Sequence, residues 1–188
     1  MKDCKLVVGL VGMPGAGKSL VVEAAQENNY SVVAMGDVVR EETRKRGLEP
    51  NPKNVGAVML DLRKTNGAGV IAKKCVSRIE QAKGSKLIVD GLRSLDEAEV
   101  FKARFPSFRL LAIHAAPETR FIRLKERGRS DDPKIWDVFR ERDLRELSVG
   151  LGDAIAMADY MITNEDDKKD LKARVSELLA EVEAKWQK

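Results

Sequence analysis

Gly12-Met13-Pro14-Gly15-Ala16-Gly17-Lys18-Ser19 decides the reading of this 188-residue chain. The stretch is a glycine, four free positions, then Gly-Lys-Ser, the pattern of a loop that cradles phosphates with its backbone N–H groups. Upstream, Leu6-Val7-Val8-Gly9-Leu10-Val11 is an apolar, β-branched run that reads as a buried strand. Downstream, Leu20-Val21-Val22-Glu23-Ala24-Ala25 reads as the opening turns of a helix. A glycine-rich turn feeding a helix N-terminus offers amide donors and a positive dipole end to an anion. In such a loop Lys18 reaches the β- and γ-phosphates, and the Ser19 hydroxyl ligates Mg²⁺. All eight residues, Gly12 to Ser19, are therefore expected to contact a nucleoside triphosphate.

Composition narrows the setting. The length fits one domain, taken here as residues 1–188. Two cysteines, Cys4 and Cys75, match no metal-ligand spacing and make no disulfide framework, so a reducing cytosol is the expected compartment. The first apolar run is too short to span a bilayer and no small-residue cleavage site follows it, so no membrane association is expected. The net charge of +4 is a mild excess scattered among mixed-sign segments, and aromatic residues make up 5% of the chain. No basic stripe interleaved with aromatics is present, and nucleic acid is not an expected partner. The sequence sets no oligomeric state.

Working outward from the loop, five segments read as strands: residues 5–11, 31–35, 86–90, 108–114 and 159–163. Helical patterns separate them, giving an alternating α/β chain with a parallel sheet. About fifty residues divide the second strand from the third, too many for one crossover. Within them Val55, Val58, Met59 and Leu62 fall at i, i+3, i+4, i+7, as do Ala72, Cys75, Val76 and Ile79. Residues 36–84 thus read as a helical insertion at the carboxyl edge of the sheet, where open α/β sheets bind ligands and where a second substrate would sit. Ser94-Leu95-Asp96-Glu97 is a capping box, Pro117 suits a first helical position, and Asp132-Pro133 reads as an N-cap followed by proline. A closing helix over 168–186 carries Leu171, Val175, Leu178, Val182 and Trp186 on one face.

Several polar residues sit where that edge would place chemistry. Lys86-Leu87-Ile88-Val89-Asp90 ends an apolar strand in a carboxylate, and beside a phosphate loop Asp90 is a candidate Mg²⁺ partner. It also reads as a turn aspartate. Asp37 follows the second strand as a helix N-cap, a Mg²⁺-water ligand or a base next to the transferred phosphate. Arg40, one turn on, and Arg93, in the loop after the third strand, are candidates to hold an acceptor phosphate with their planar forks. Arg120, Arg123 and Arg127 share one face of a helix at i, i+3, i+7, opposite Phe121, Ile122 and Leu124. That stripe is either a solvated face or a set that closes over the triphosphate with Arg129. Arg140 and Arg142 either approach the same phosphates or pair locally with Glu141, Asp143 and Glu146. His114, the single histidine, reads first as a satisfied sheet-edge residue and only second as a general base, and Asn164-Glu165-Asp166-Asp167 as a neighbour of the nucleotide base. No Asn-Lys-x-Asp arrangement argues for guanine, which favours ATP.

With these residues assembled, the chain resembles an archaeal adenylate-kinase-related P-loop family, nucleoside-monophosphate-kinase-like and kin to cytidylate and dephospho-coenzyme A kinases. The resemblance runs from Gly9 to about Glu165, on Met35-Gly36-Asp37-Val38-Val39-Arg40, Val89-Asp90-Gly91-Leu92-Arg93-Ser94, Gly128-Arg129-Ser130-Asp131-Asp132-Pro133, Glu141-Arg142-Asp143 and Ala158-Asp159-Tyr160. It implies a five-stranded parallel sheet in the order 2-3-1-4-5, an acceptor-binding insertion and a short lid over 127–140. By position it puts the acceptor-phosphate arginine of Gly-Asp-x-x-Arg at Arg40. It matches Asp90-Gly91-Leu92-Arg93 to a family stretch one residue longer, Asp-Gly-Phe-Pro-Arg. The expected function is transfer of the γ-phosphoryl group of Mg·ATP to a nucleoside monophosphate, AMP or CMP first. Lys18, Asp37, Arg93, Arg123 and Arg127 are the expected catalytic set, and Asp37, Arg40 and Arg93 the acceptor set. Arg120 and Arg129 join the nucleotide contacts, with Ser19 and Asp90 on the metal. The alternatives are a hydroxyl acceptor such as dephospho-coenzyme A, for which Asp37 would serve as base, and a regulatory module with slow ATPase activity.

Overall fold

Every residue of Leu6–Val11 (β1) is buried, because the strand occupies the middle of a sheet covered on both faces. The structure, a computed structural model, describes residues 5–129 and 132–186. After β1 come Lys18–Glu27 (α1), Ser31–Ala34 (β2), Met35–Lys45 (α2), Pro52–Asn66 (α3), Val70–Gln81 (α4) and Lys86–Asp90 (β3). Leu95–Arg104 (α5), Arg109–His114 (β4), Pro117–Arg127 (α6), Trp136–Ser148 (α7), Leu151–Ala156 (α8), Tyr160–Thr163 (β5) and Lys168–Trp186 (α9) complete the described elements. The sheet is parallel in the order β2-β3-β1-β4-β5, with Leu6 beside Lys86 and Val8 beside Arg109. That is the order the resemblance implied, and all five strands fall within a residue of their expected limits.

Strand alternation divides β1 between two cores. Val7 and Val11 join Leu87, Val89, Leu110 and Ala112 under α2 to α5 and α8. Leu6, Val8 and Leu10 join Ile88, Leu111, Ile113 and Ile162 under α1 and α9. The helices of 36–84 belong to the first core: Val58 and Leu62 of α3 and Ala72, Cys75 and Ile79 of α4 are buried at the predicted periodicity. On α9 the buried stripe is Leu171, Val175, Leu179 and Val182, with Leu178 at its margin.

Three local expectations change. Helix α2 opens directly at Met35, which is buried in the first core, so Asp37 lies inside the first turn and Ala34 holds the N-cap position without a side-chain cap. Asp132 does not cap α7, whose first residue is Trp136 and whose N-cap is Ile135. On α6 the expected faces hold only in part: Leu124 is buried and Arg123 and Arg127 stay accessible, but Arg120 is 4% exposed and Ile122 55% exposed. The reason is the loop, for α6 packs against it so closely that a Cβ built on Gly15 lies 2.7 Å from the Arg120 carbonyl oxygen. Ser94 does cap α5, accepting from the Glu97 amide, and Pro117 begins α6. Cys4 and the Ser130-Asp131 part of the expected lid lie outside the described residues. No described helix is long and apolar enough to cross a membrane.

Candidate functional site

The loop after β1 turns tightly, with the Ala16 amide donating to the Met13 carbonyl at 3.1 Å, and two glycines make this path possible. Gly17 stands at φ +108°, and a Cβ there would lie 2.3 Å from the Asn164 side-chain nitrogen. A Cβ on Gly12 would lie 2.6 Å from the Ile113 carbonyl oxygen. The loop is thus seated on the ends of β4 and β5, and no side chain fits beneath it. Asn164, buried just past β5, donates from Nδ2 to the Ala16 carbonyl at 2.8 Å, and its backbone N–H donates to the His114 carbonyl at 2.7 Å. Glu165 accepts from the Ala116 amide and the Thr119 hydroxyl at the start of α6, which hold its carboxyl below the usual range, Thr119 chiefly. Asn164 is therefore a loop support as well as a cleft residue.

A cleft of about 710 Å³ opens over this loop. Pro14, Gly15, Gly17, Lys18, Ser19, Asp90, Arg93, Arg123, Arg127 and Arg129 all line it, as do Arg142, Glu146 and Asn164. Lys18 folds back so that Nζ donates to the Gly12 and Met13 carbonyls, at 2.5 and 3.2 Å. Burial pushes its ammonium down to about 8; nearby Asp90 and Glu146 oppose the shift, and Arg93 and Arg142 reinforce it. Asp90 moves the other way, held above the ordinary carboxylate range by burial, with Lys18 and Arg93 pulling it back. One of its oxygens, Oδ1, is buried and accepts no hydrogen bond among the described residues.

That orphaned oxygen bears on the metal such a loop implies. A buried, partnerless carboxylate oxygen in the same cleft as an exposed serine hydroxyl suits a hard cation that takes most remaining ligands from phosphates and water. Among the described residues no group of three or more His, Cys, Asp or Glu side chains forms a metal cage of its own. The residues present fit Mg²⁺ held with a nucleotide and do not fit a resident structural metal.

Opposite the loop the cleft wall is a set of paired arginines. Arg93 donates to Glu146 on α7, and its backbone N–H donates to Glu97 at 2.8 Å. Glu97 is fully buried and also takes Arg63 of α3 at 2.6 Å. Asp132, likewise buried, accepts from Arg127 at 2.5 and 2.9 Å, from the Arg129 amide at 3.0 Å and from Arg142 at 3.5 Å. The Arg127 guanidinium holds the Asp132 carboxyl below its usual range. Arg123 donates to the Asn164 carbonyl at 2.9 Å. The acids of α7 thus pair across elements, Glu146 with Arg93 and Asp143 with Arg120, where local pairing was one expectation. Asp132 and Glu146 as arginine holders went unread, since the proline after Asp132 and the neighbouring charges of Glu146 both carry an ordinary local explanation.

Of the expected loop contacts, Gly12, Met13 and Ala16 are buried and outside the cleft lining, and three expected site residues from other elements also lie elsewhere. Arg120 is buried beneath the loop, with its guanidinium on protein partners instead of in the cleft lining. Asp37 and Arg40 sit on an exposed part of α2 at the carboxyl end of β2, ion-paired to each other at 2.5 Å and outside the cleft lining. His114 is exposed at the end of β4.

Lys18 gives this geometry a measurable signature. A triphosphate favours the charged ammonium, so at about pH 9, where the free site is mostly neutral, nucleotide binding should take up protons. Titration calorimetry in buffers of different ionisation enthalpy measures this. Absence of proton uptake at pH 9, with binding intact, would detach Lys18 from the phosphates.

Comparison with known proteins agrees with the fold. Residues 11–140 match the family model described as AAA domain. A UPF0200 protein of Thermococcus onnurineus is 44% identical over 181 residues, covering 94% of this chain and 98% of that relative. UPF0200 protein MJ1399 of Methanocaldococcus jannaschii is 48% identical over 179 residues, covering 94% and 90%. Among solved structures, TT1252 from Thermus thermophilus superposes with a TM-score of 0.64 at 16% identity, covering 94% of this chain and 97% of that one. A shikimate kinase from Acinetobacter baumannii, solved with shikimate, gives 0.59 at 16% identity over 95% of both. The two structures share the fold, a P-loop kinase-like one. By the sequence matches, this chain belongs to the UPF0200 family and carries its AAA domain over residues 11–140.

Proposed function

We propose that this protein is a phosphotransferase that moves the γ-phosphoryl group of Mg·ATP to a small nucleotide-like acceptor, a nucleoside monophosphate such as AMP or CMP first. One observation carries the reading: Lys18, Asp90 and the arginines Arg93, Arg123, Arg127, Arg129 and Arg142 line a single cleft. Phosphoryl transfer needs positioning and charge stabilisation more than covalent chemistry, and this is the apparatus for it. Ser19 and Asp90 would hold Mg²⁺, which would supply charge neutralisation for the phosphates. Lys18 orients the β- and γ-phosphates, and Arg123 and Arg127 meet the charge that develops on the transferring group. Arg93 approaches from the acceptor side, and Arg40, outside the lining as it stands, joins it when an acceptor phosphate replaces its Asp37 partner. The cytosol is the proposed compartment, consistent with a free, buried Cys75 whose thiol is pushed up to about 12 by burial.

A hydroxyl acceptor is the second reading, favoured by Asp37. Its carboxylate caps no helix and is held by Arg40 outside the cleft lining, and a hydroxyl needs a base where a phosphate does not, so Asp37 would serve once that pair opens. A phosphotransfer screen with Mg·ATP against nucleoside monophosphates and hydroxyl acceptors, dephospho-coenzyme A included, separates the readings. Transfer to a monophosphate supports the first, and transfer to a hydroxyl the second. ATP binding with slow hydrolysis and no acceptor would leave a nucleotide-dependent regulatory module. Under the first reading Arg40→Ala raises KM for the monophosphate by roughly tenfold or more, the scale of a lost charge-assisted pair, with KM for ATP little changed. Equal loss of both would make Arg40 structural.

A further inference from the structure

We infer that Arg120 is a positioning residue that couples the phosphate-binding loop to α7, so that nucleotide at the loop sets the orientation of the helix carrying Arg142 and Glu146. The inference rests on the nucleotide-binding half of the proposed function and adds a residue that touches no substrate. Its guanidinium bonds three separate elements. Nε donates to the Ala115 carbonyl at 3.1 Å, and Nη1 to the Pro14 carbonyl at 3.1 Å. Nη1 and Nη2 together grip Asp143 of α7, at 2.9 and 2.5 Å. The guanidinium also lies 4.9 Å over the Phe139 ring, one turn earlier on α7.

Geometry makes this a coupling and not only a brace. Pro14 is at the crest of the loop and lines the cleft, so a phosphate drawn into the loop bears on the carbonyl that Arg120 holds. A bidentate fork transmits rotation as well as distance, which a point charge does not. Asp143 is adjacent in sequence to Arg142 and one turn from Glu146, and both of these face the cleft. Turning α7 about the Asp143 anchor therefore re-aims a phosphate-facing arginine and the partner of Arg93 together. Phe139 packs on Trp136 at 5.1 Å and on Phe121 at 5.5 Å, which places a natural fluorophore on the moving side.

The test uses that fluorophore. The chain has two tryptophans, so Trp186→Phe on α9 leaves Trp136 as the single reporter. Saturating Mg·ADP should change the Trp136 emission in this background. Adding Arg120→Lys, which keeps the charge and loses the fork, should cut the amplitude at saturation to below about half, with Mg·ADP binding still seen by calorimetry. Asp143→Asn should do the same, and it carries the test if circular dichroism shows the lysine variant unfolded. A merely structural Arg120 would lower Tm and leave the saturated amplitude intact, overturning the inference. So would a silent Trp136 in the parent while calorimetry records binding. No heat from Mg·ADP in the parent would remove the nucleotide reading first, and the coupling with it.

Discussion

Lys18→Ala is expected to abolish phosphoryl transfer, and with it the thermal stabilisation by Mg·ATP, while the unliganded protein melts within a few degrees of the parent. Two opposed effects produce the near-neutral stability. Burial pushes Lys18 from its ordinary 10.5 down to about 8, so protonated Lys18 costs on the order of 3 kcal/mol. The cost is present at all pH below 8 and is relieved as pH rises from 8 to 10.5, because the folded state then gives up its proton before the unfolded one. Substitution removes that cost and also the two hydrogen bonds to Gly12 and Met13, worth a similar amount together. Nucleotide binding has no such offset. A ligand at 100 times its Kd stabilises the parent by about 2.7 kcal/mol, and this term should vanish in the variant. Differential scanning calorimetry with and without Mg·ATP, beside a transfer assay, reads both halves. Persisting turnover would take the loop out of the mechanism.

Arg127→Ala carries the second large effect. If its guanidinium meets charge on the γ-phosphoryl group in flight, kcat should fall by roughly 10³-fold or more, with ATP affinity changed far less. The fold should survive, since Asp132 keeps the Arg129 amide and Arg142 as partners. Arg127→Lys retains a charge but not two parallel donors, and should recover only part of the rate. Single-turnover measurement at saturating Mg·ATP decides the matter. A loss below tenfold would confine Arg127 to holding Asp132.

The sheet was legible because the three central strands are apolar runs buried on both faces, the partly exposed edge strands keep short β-branched runs, and helical periods lay between. The loop was legible because its glycines answer to backbone needs that no other residue meets. Asp90 could be placed from sequence because it ends a strand adjacent to β1, so the sheet itself delivers it to the cleft. The arginines of α6 were harder. A stripe at i, i+3, i+7 shows that Arg120, Arg123 and Arg127 share a side, but not how deep that side lies. Close packing of α6 on Gly15 buries Arg120 and leaves Arg123 and Arg127 at the cleft. Glu146 and Asp132 were opaque for a related reason. Glu146 takes its partner from another element and Asp132 sits in a loop between α6 and α7, and periodicity within one helix carries no information about either pairing.

The placement of β1 has a consequence for how the protein is made. Its neighbours are β3 and β4, with Leu6 paired to Lys86 and Val8 to Arg109, so the first of these five strands to be synthesised must wait for chain emerging much later. Asn164, which props the loop from below, arrives later still. Until β3 and β4 emerge the six-residue apolar run of β1 lacks both strand neighbours, and a nascent polypeptide arrested before β4 has no complete nucleotide site to stabilise it.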